Sequence, residues 1–174
     1  MRSGYQVRAA RPAEVELLPG IEARAGVAFA PFGLAGPFTT IVTPRADYAR
    51  GCAAGRLWVA VDADDRPVGF ALGDLLEGHA HLEEMDVLPE HARQGLGTAL
   101  LETVLRWAAT AGHREITLTT LAHIPWNGPF YARHGFREVP TADLRTAERA
   151  LLAAEISRGL PGDGRVLMRR VFPR

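Results

Sequence analysis

The order of strand-like and helical segments constrains the fold of this chain more than any other feature of its sequence. Three strand-like segments follow one another across turns at 62–67 and 77–78, which is the pattern of an antiparallel meander. The third leads through a glycine-bearing loop into an amphipathic helix, which is followed by a buried strand at 115–121. A meander continued by a strand–helix–strand crossover predicts an α/β fold with a mixed, mostly antiparallel, twisted sheet and helices on both faces.

The remaining segments extend this pattern to both ends of the chain. Strands are predicted at 5–8, 57–61, 68–76, 80–87, 115–121, 136–139 and 165–171. Helices are predicted from residue 11 toward 27 and at 47–55, 98–108, 127–134 and 142–158, whereas the Gly-, Pro- and Phe-rich segment 29–44 is expected to be a loop that lines a pocket. No repeat or linker divides the sequence, so residues 1–174 are expected to form a single domain with a core at 5–139 and a C-terminal helix and strand at 140–174.

The composition excludes several classes of chemistry. All 20 basic residues are arginine, so the chain has no lysine for a Schiff base or a Walker-type phosphate loop. The two serines, Ser3 and Ser157, lie outside any G-x-S-x-G motif, which argues against a serine hydrolase. The one cysteine, Cys52, excludes an internal disulfide and is interpreted as a packing residue, and the six histidines lack ligand spacing, so no metal is expected.

The distribution of charged and apolar residues bears on the surroundings and partners of the protein. The 20 acidic residues balance the 20 arginines, and the arginines are scattered, so no nucleic-acid partner is expected. No apolar run reaches the roughly 20 residues of a membrane-spanning helix, and the first residues lack the apolar segment of a signal peptide. A cytoplasmic protein without a membrane partner is therefore expected, and its partners are expected to be small molecules.

Residues 93–98, Arg-Gln-Gly-Leu-Gly-Thr, lie between a predicted strand and a predicted helix. Two glycines let the backbone approach an anion closely, and the following helix places its positive dipole end at the same point. The segment therefore predicts a diphosphate-binding turn, with an ordinary strand-to-helix turn as the alternative. A dinucleotide-binding fold needs a third glycine where this chain has Leu100, and it has no use for carboxylates in the preceding strand, so an NAD site is rejected.

Two segments resemble the GCN5-related N-acetyltransferase (GNAT) superfamily. The first, at 82–100, reads LEEMDVLPEHARQGLGTAL, and the second, PWNGPFYARHGF at 125–136, is similar to the family's second acetyl-CoA-binding segment. Together with the element order, the resemblance covers residues 5–139 and implies one N-acetyltransferase domain of the acyl-CoA N-acyltransferase type. The family usually has Gln or Arg where this chain has Ala92, a difference that affects a side-chain contact more than the backbone N–H groups of the turn.

The resemblance also implies acetyl-CoA as the co-substrate. Pantetheine would enter between the strands at 85–87 and 116–121 and pair with backbone groups, while the diphosphate would lie on the turn. Asn127 is expected to hydrogen-bond the co-substrate, to cap the following helix, or both. The expected co-substrate-binding residues are Met85, Asp86, Val87, Arg93, Gln94, Gly95, Leu96, Gly97, Thr98 and Asn127.

Acetyl transfer to an amine needs an acid that protonates the departing thiolate of CoA. Tyr131 lies four residues before Gly135, where family members that use a tyrosine acid carry it. The alternative for Tyr131 is an aromatic side chain packed beside Trp126, Phe130 and Phe136.

The same reaction needs a base that takes a proton from the acceptor ammonium. Glu83 and Glu84 are adjacent on a predicted strand, so they point to opposite faces and one of them is expected to reach the cleft. Glu84 shares its face with Asp86 and is the preferred base. Glu83, which shares its face with Met85 and Val87, two residues expected to be buried, becomes the base if a β-bulge reverses the alternation.

These observations predict an acetyl-CoA-dependent N-acetyltransferase that transfers an acetyl group directly to the primary amine of a small molecule. Two alternatives stay open: a non-catalytic CoA-binding sensor of the same fold, and an acyltransferase that acts on a peptide N-terminus or uses a longer acyl-CoA. Acceptor specificity is expected from the segments 29–38 and 121–126, with the C-terminal segment as a further candidate. The apolar helices would support a homodimer, which is frequent in the superfamily.

Overall fold

The computed structural model describes residues 4–173 of the 174-residue chain, so Ser3 lies outside the described part. Two compact units are distinguished within it. One contains the described residues through Asp74 together with Glu83–Trp107, and the other contains Leu75–Leu82 together with the residues from Ala108 onward. A single domain over the whole chain stays a prediction.

Seven strands and six α-helices make up the regular structure of the described residues. The strands are β1 (Gln6–Ala9), β2 (Leu57–Val61), β3 (Pro67–Leu76), β4 (His79–Val87), β5 (Glu115–Leu121), β6 (Arg137–Glu138) and β7 (Arg165–Val171). The α-helices are α1 (Leu18–Ala25), α2 (Ala35–Thr40), α3 (Arg45–Ala53), α4 (Leu96–Thr110), α5 (Gly128–Arg133) and α6 (Thr146–Ser157). Short 3₁₀ helices occupy Pro12–Leu17, Gly26–Phe32, Pro89–His91 and Thr141–Asp143.

The hydrogen-bonded order of the strands is β1-β2-β3-β4-β5-β7-β6. The β4–β5 pair is parallel, from Ala80 opposite Ile116 to Leu82 opposite Leu118, and α4 is the connection between these two strands. The pairs β1–β2, β2–β3, β5–β7 and β6–β7 are antiparallel. The predicted α/β class, with a mixed and mostly antiparallel sheet, is therefore confirmed.

The first unit is organised around β2. This strand is paired with β1 on one edge and β3 on the other, and all five of its residues are buried. Its sequence, Leu-Trp-Val-Ala-Val, is accordingly a continuous apolar run and not an alternating one. At the edge of this unit, the Arg8 guanidinium donates two hydrogen bonds, of 2.9 and 2.6 Å, to the two carboxylate oxygens of Glu14.

The second unit is organised around β5. This strand pairs with β7 along its whole length, from Glu115 opposite Val171 to Leu121 opposite Arg165. Helix α6 is joined to these strands by carboxylates: Glu155 accepts hydrogen bonds from Thr119 (2.6 Å) and Arg165 (3.0 Å). Arginine is the cation in the buried ion pairs of this unit. Its guanidinium group has several N–H donors, so it can form hydrogen bonds in addition to the ion pair.

The segment 29–44 is not the loop that its composition predicts. It contains the end of one 3₁₀ helix and the whole of α2, because Phe29 and Phe38 stack with ring centroids 4.0 Å apart. Gly26 lies directly against the Phe38 backbone, where a Cβ atom would not fit. Aromatic packing between residues nine positions apart therefore imposes helical turns on a segment rich in glycine and proline.

The other differences concern the ends of elements. The helix predicted from residue 11 toward 27 is a 3₁₀ helix, then α1, then a second 3₁₀ helix. Helix α4 begins at Leu96, two residues before the predicted start, and α6 begins at Thr146 and not at 142. A difference of two residues at α4 is within the usual uncertainty of a helix end. Helix α6 begins later because Leu144 and Arg145 are extended and separate it from the 3₁₀ turn at Thr141–Asp143.

Candidate functional site

The turn before α4 has an unusual sequence of backbone angles. Arg93 has φ +58° and Gly95 has φ +83°, whereas Gln94 between them is not among the residues with positive φ. Alternation between left-handed and ordinary conformations points successive N–H groups to one side, which forms a concave site for an anion. A non-glycine residue in the left-handed region is uncommon, so the conformation of Arg93 shows that the turn is tightly specified.

The start of α4 leaves N–H groups available at the same place. Ala99 donates the first intrahelical hydrogen bond to the Gly95 carbonyl oxygen (3.1 Å). The N–H groups of Leu96, Gly97 and Thr98 precede this bond and belong to the first turn of a 15-residue helix. The helix dipole and the N–H groups of this first turn together favour a phosphate group here. The Leu96 side chain is buried, so this residue offers a ligand its backbone alone.

Contacts within the first unit hold the segment that leads into the turn. The Tyr5 hydroxyl hydrogen-bonds Nδ1 of His91 (2.9 Å), and Arg24 of α1 forms an ion pair with Glu90. The Leu88 N–H donates to the Val68 carbonyl oxygen (2.9 Å), which extends the backbone pairing of β4. The turn is thus attached to the N-terminal strand region, to α1 and to β3, and a rigid attachment favours a precise binding geometry.

The second half of β4 carries the acidic residues. All five residues Glu83–Val87 are half-buried, so the prediction that Met85 and Val87 are buried is wrong. The reason is the extent of the parallel ladder, which covers the strand from Ala80 to Leu82, where the residues are buried. Beyond Leu82 the side chains of both faces keep some access to solvent.

Glu84 and Asp86 lie two residues apart on β4 and therefore share a face. Burial, followed by the negative charges of Asp86 and Glu22, raises the pKa of Glu84 well above its usual range. Burial and then Glu22 raise the pKa of Asp86 in the same way. Oε1 of Glu84 also accepts a hydrogen bond from the Met85 N–H (3.0 Å). A carboxyl group whose pKa is raised above its usual range binds a proton more tightly, which is the direction of shift that favours a general base.

Sequence reasoning missed Glu22, whose charge acts on both of these carboxyl groups, and its two hydrogen-bonding partners, Thr43 and Tyr48. Glu22 of α1 accepts hydrogen bonds from the Tyr48 hydroxyl and from the Thr43 N–H. The sequence does contain a signal for Glu22, because its spacing from Leu18 and Ile21 places it on the apolar face of the helix. A carboxylate on the apolar face of a helix is rarely buried without a function or a network of partners.

Tyr131 and Asn127 both belong to the second unit. Tyr131 is half-buried on α5, and its ring makes edge contacts with Phe130 (centroids 5.2 Å apart) and Phe136 (5.8 Å apart). Asn127 occupies the N-cap position of α5, and its carbonyl oxygen accepts from the Tyr131 N–H (3.0 Å), but its side chain makes no capping hydrogen bond. Both alternatives stated for Tyr131 are therefore compatible with its position, because an edge-packed phenol still carries its hydroxyl.

Other residues considered from the sequence have structural partners. His81 is buried, and its Nδ1 lies 2.8 Å from Oγ1 of Thr117, whereas Sγ of Cys52 lies 3.5 Å from the Ala10 carbonyl oxygen. Within residues 4–173, no cluster of three or more His, Cys, Asp or Glu side chains is arranged to hold a metal ion. No helix in this part of the chain has the length and apolar character needed to cross a membrane.

A sheet of this strand order, with an acidic strand that leads into an amide-lined turn and a helix, defines the acyl-CoA N-acyltransferase class of fold. The family model described as the acetyltransferase (GNAT) family matches residues 34–136, which include β4, the turn and α5. The chain belongs to the GNAT acetyltransferase family.

Solved structures share the fold at low sequence identity. N-acetylglutamate synthase from Neisseria gonorrhoeae, complexed with coenzyme A and N-acetyl-glutamate, matches with a TM-score of 0.71 and 15% identity; the match covers 100% of this chain and 36% of that one, so this chain spans little more than a third of that protein. The PaiA N-acetyltransferase from Thermoplasma acidophilum, in complex with coenzyme A, matches with a TM-score of 0.68 and 14% identity over 97% of this chain and 99% of that one. The ribosomal-protein-S18-alanine N-acetyltransferase from Escherichia coli matches with a TM-score of 0.66 and 18% identity over 98% and 95% of the two chains.

Proposed function

We propose that this protein is an acetyl-CoA-dependent N-acetyltransferase that transfers an acetyl group directly to the primary amine of a small molecule. The observation that carries the proposal is the continuity of one segment within the first unit. The strand with the carboxyl pair Glu84 and Asp86 continues through one 3₁₀ turn into the amide-lined turn at the start of α4. The family model spans this whole segment.

The residues of the turn suit a diphosphate. Residues 92–98 include no acidic side chain, and the exposed Arg93 adds a positive charge beside the amides of Gly97 and Thr98. Gln94 and Asn127 are the proposed side-chain hydrogen-bonding partners of the co-substrate, and the backbone groups of β4 at 85–87 are the proposed partners of its pantetheine arm. When bound, acetyl-CoA supplies a thioester carbonyl that an amine can attack.

Glu84 is the proposed base. An aliphatic ammonium cannot attack a carbonyl until it loses a proton, and a base accepts that proton best when its own pKa lies near the working pH. Burial and the charges of Asp86 and Glu22 move the pKa of Glu84 in that direction. Glu83 lies on the other face of β4, and its negative charge is the smallest of the influences on Glu84.

Tyr131 is the proposed acid. Its distance of four residues from Gly135 matches the position of the tyrosine acid in the family. The atoms balance as follows: Glu84 takes one proton from the ammonium, the C–N bond forms, the C–S bond breaks as the Tyr131 hydroxyl gives its proton to the departing sulfur, and the nitrogen releases its second proton to water. Exchange with water then returns both residues to their starting protonation.

A small amine with an apolar body is the proposed acceptor. The aromatic segment of the first unit supports this choice, because Phe29 and Phe38 form a stacked pair and Phe32 keeps 40% of its surface exposed. Structural neighbours named above include a protein complexed with an acetylated amino acid and one named for the alanine of a ribosomal protein, and both kinds of acceptor are primary amines.

Thiol release from acetyl-CoA, followed for a panel of acceptors, tests the proposed function. The panel contains amino acids, diamines, arylalkylamines and one peptide with a free N-terminus, and mass spectrometry identifies the product. We expect one acetylated small amine for each thiol released. Acetylation of the peptide alone, or turnover with longer acyl-CoA alone, would replace the proposed substrate, and binding of acetyl-CoA without any transfer would favour a sensor module.

A further inference from the structure

Glu22 is a buried carboxylate that the mechanism above does not use directly. It lies on α1 with 6% of its surface exposed, on the helix face that also carries Leu18 and Ile21. An ionised group in such a position is costly unless hydrogen bonds satisfy it. Helix stability alone would favour an apolar residue at this position. A buried carboxylate here therefore indicates a role that involves its hydrogen-bonding partners.

The partners of Glu22 hold its carboxylate in one place. Its two oxygens each accept a hydrogen bond from the Thr43 N–H at 2.9 Å, and Oε1 also accepts from the Thr43 hydroxyl at 3.2 Å. The hydroxyl of Tyr48, a residue with no exposed surface, donates to Oε2. Several donors around one carboxylate favour its ionised form. Glu22 therefore brings a fixed negative charge into the first unit.

A chain of contacts connects this charge to β4. The ring of Tyr48 makes an edge contact with Phe70 of β3, with centroids 5.3 Å apart. The neighbouring Gly69 lies so close to β4 that a Cβ atom on it would be 2.7 Å from the Asp86 carbonyl oxygen. Glycine at this position lets the backbones of β3 and β4 approach closely, so contacts lead from the network at Glu22 through Tyr48 and β3 to the β4 backbone at Asp86.

We propose that Glu22, fixed by Tyr48 and Thr43, is a positioning residue that sets the charge state of the carboxyl pair Glu84 and Asp86. This inference rests on the proposed function for its catalytic meaning. Glu22 does not touch a reacting atom in this account; it acts on the base through its charge. Its negative charge favours the protonated form of each neighbouring carboxyl group and so shifts the working range of the base toward higher pH.

The charged and titratable groups that act on Glu84 come from three elements. Asp86 and Glu83 lie on β4 itself, Glu22 lies on α1, and Tyr48 of α3 is in turn influenced by both Glu22 and Glu84. The negative charges of Asp86, Glu22 and Glu83 each oppose the ionisation of Glu84. Glu22 is the one that also acts on Asp86. Removal of its charge is therefore expected to move both members of the pair.

Side-chain carboxyl chemical shifts, followed by NMR over a pH titration of the 174-residue protein, test the proposal. In Glu22→Gln, the pKa values of Glu84 and Asp86 are expected to fall by about one pH unit, whereas Glu22→Asp, which keeps the charge, is expected to stay near the wild type. Glu16→Gln neutralises an exposed glutamate that pairs with Arg45 and is the matched control; it is expected to shift neither group. Unchanged titration of Glu84 and Asp86 in a folded Glu22→Gln protein would overturn the proposal.

If Glu22→Gln does not fold, Tyr48→Phe gives the second variant, because it removes a donor to Glu22 and keeps the buried ring. The expected result is a smaller downward shift of the same two groups, and no shift would overturn the proposal. The acidic limb of kcat/KM against pH is expected to move with the NMR titration. A shift in the NMR titration without any acetyl transfer would contradict the proposed function and leave the role of Glu22 supported.

Discussion

Glu83 and Glu84 offer a matched pair of substitutions at adjacent positions. Glu84→Gln removes the proposed base and keeps an acceptor for the Met85 N–H, so we expect kcat to fall about 100-fold or more. Glu83→Gln removes the same charge on the opposite face of the strand and is expected to lower kcat less than about tenfold. Steady-state rates at the optimum pH, with circular dichroism as a folding control, measure both. A larger loss in Glu83→Gln would identify Glu83 as the base.

The hydroxyl group of Tyr131 can be removed by a substitution that keeps the aromatic ring. Tyr131→Phe deletes the hydroxyl and keeps the ring that contacts Phe130 and Phe136, so packing should survive. We expect kcat to fall about 100-fold with the dissociation constant of CoA unchanged, because a general acid acts on the leaving group and not on binding. Rates by thiol release and affinity by calorimetry give the two values. Equal activity of Tyr131→Phe and the wild type would leave Tyr131 with a packing role alone.

The turn before α4 is the element on which co-substrate binding depends, and α4 supplies its own control. Gly95 at the start of the helix and Gly112 after its end both have φ +83°, and a Cβ on Gly112 would meet no atom within 4 Å. Alanine at either position is expected to cost about 1 kcal/mol of stability, because both residues adopt the left-handed region. Gly95→Ala alone is expected to weaken acetyl-CoA binding, by about tenfold or more. Equal affinities in the two variants would show that the turn does not bind the co-substrate.

Elements with strong local patterns were predicted from the sequence to the residue. The strands at 57–61, 115–121 and 165–171 coincide with β2, β5 and β7, since each is rich in residues that favour strands or contains a short apolar run, and turn residues bound it. The segment 29–44 was predicted wrongly, because a stacking contact between Phe29 and Phe38 decides its conformation. Nothing in the neighbouring sequence indicates such a contact, so the prediction followed the Gly and Pro content of the segment.

The residues of the candidate site also fall into two groups: those that a local sequence pattern indicates, and those that only contacts between distant segments bring together. The turn and the acids of β4 are contiguous in sequence, so a local pattern is enough to propose them together, and their roles stay a prediction. The contacts of Glu22 with Thr43 and Tyr48 join residues 21 and 26 positions apart, and nothing in either segment alone indicates the pairing. The burial of Met85 and Val87 was predicted wrongly for a related reason, because it depends on where a ladder between distant strands ends.

At the scale of the whole molecule, carboxyl groups with lowered and with raised pKa values have opposite effects on the pH dependence of stability. The Arg8 hydrogen bond is the main cause that lowers the pKa of Glu14, so Glu14 contributes stability at neutral pH that is lost as the pH falls through its unfolded and then its folded pKa. Glu14→Gln is therefore expected to lower the melting temperature at pH 7, with the difference to the wild type closing below about pH 4. Thermal melts from pH 3 to pH 8 measure it. A constant difference at all pH values would contradict the charge-based origin.

Glu84 is expected to behave in the opposite sense. Its raised folded pKa means that the folded protein binds a proton more tightly than the unfolded chain, so ionised Glu84 costs stability at high pH and this cost disappears as the pH falls. Glu84→Gln is expected to raise the melting temperature at pH 8 and to match the wild type near about pH 4, at the expense of activity. A lower melting temperature at pH 8 would show that Glu84 is a structural residue.

Calorimetric titration of the 174-residue protein with acetyl-CoA tests the central claim most directly, with NAD and ATP as controls that also carry phosphates. The expected result is one acetyl-CoA per chain with a dissociation constant of about 1 to 100 µM, corresponding to about −8 to −5 kcal/mol, and no saturable heat with NAD or ATP. The absence of acetyl-CoA binding, or equal binding of all three compounds, would contradict the assignment of the turn and of the chemistry that depends on it.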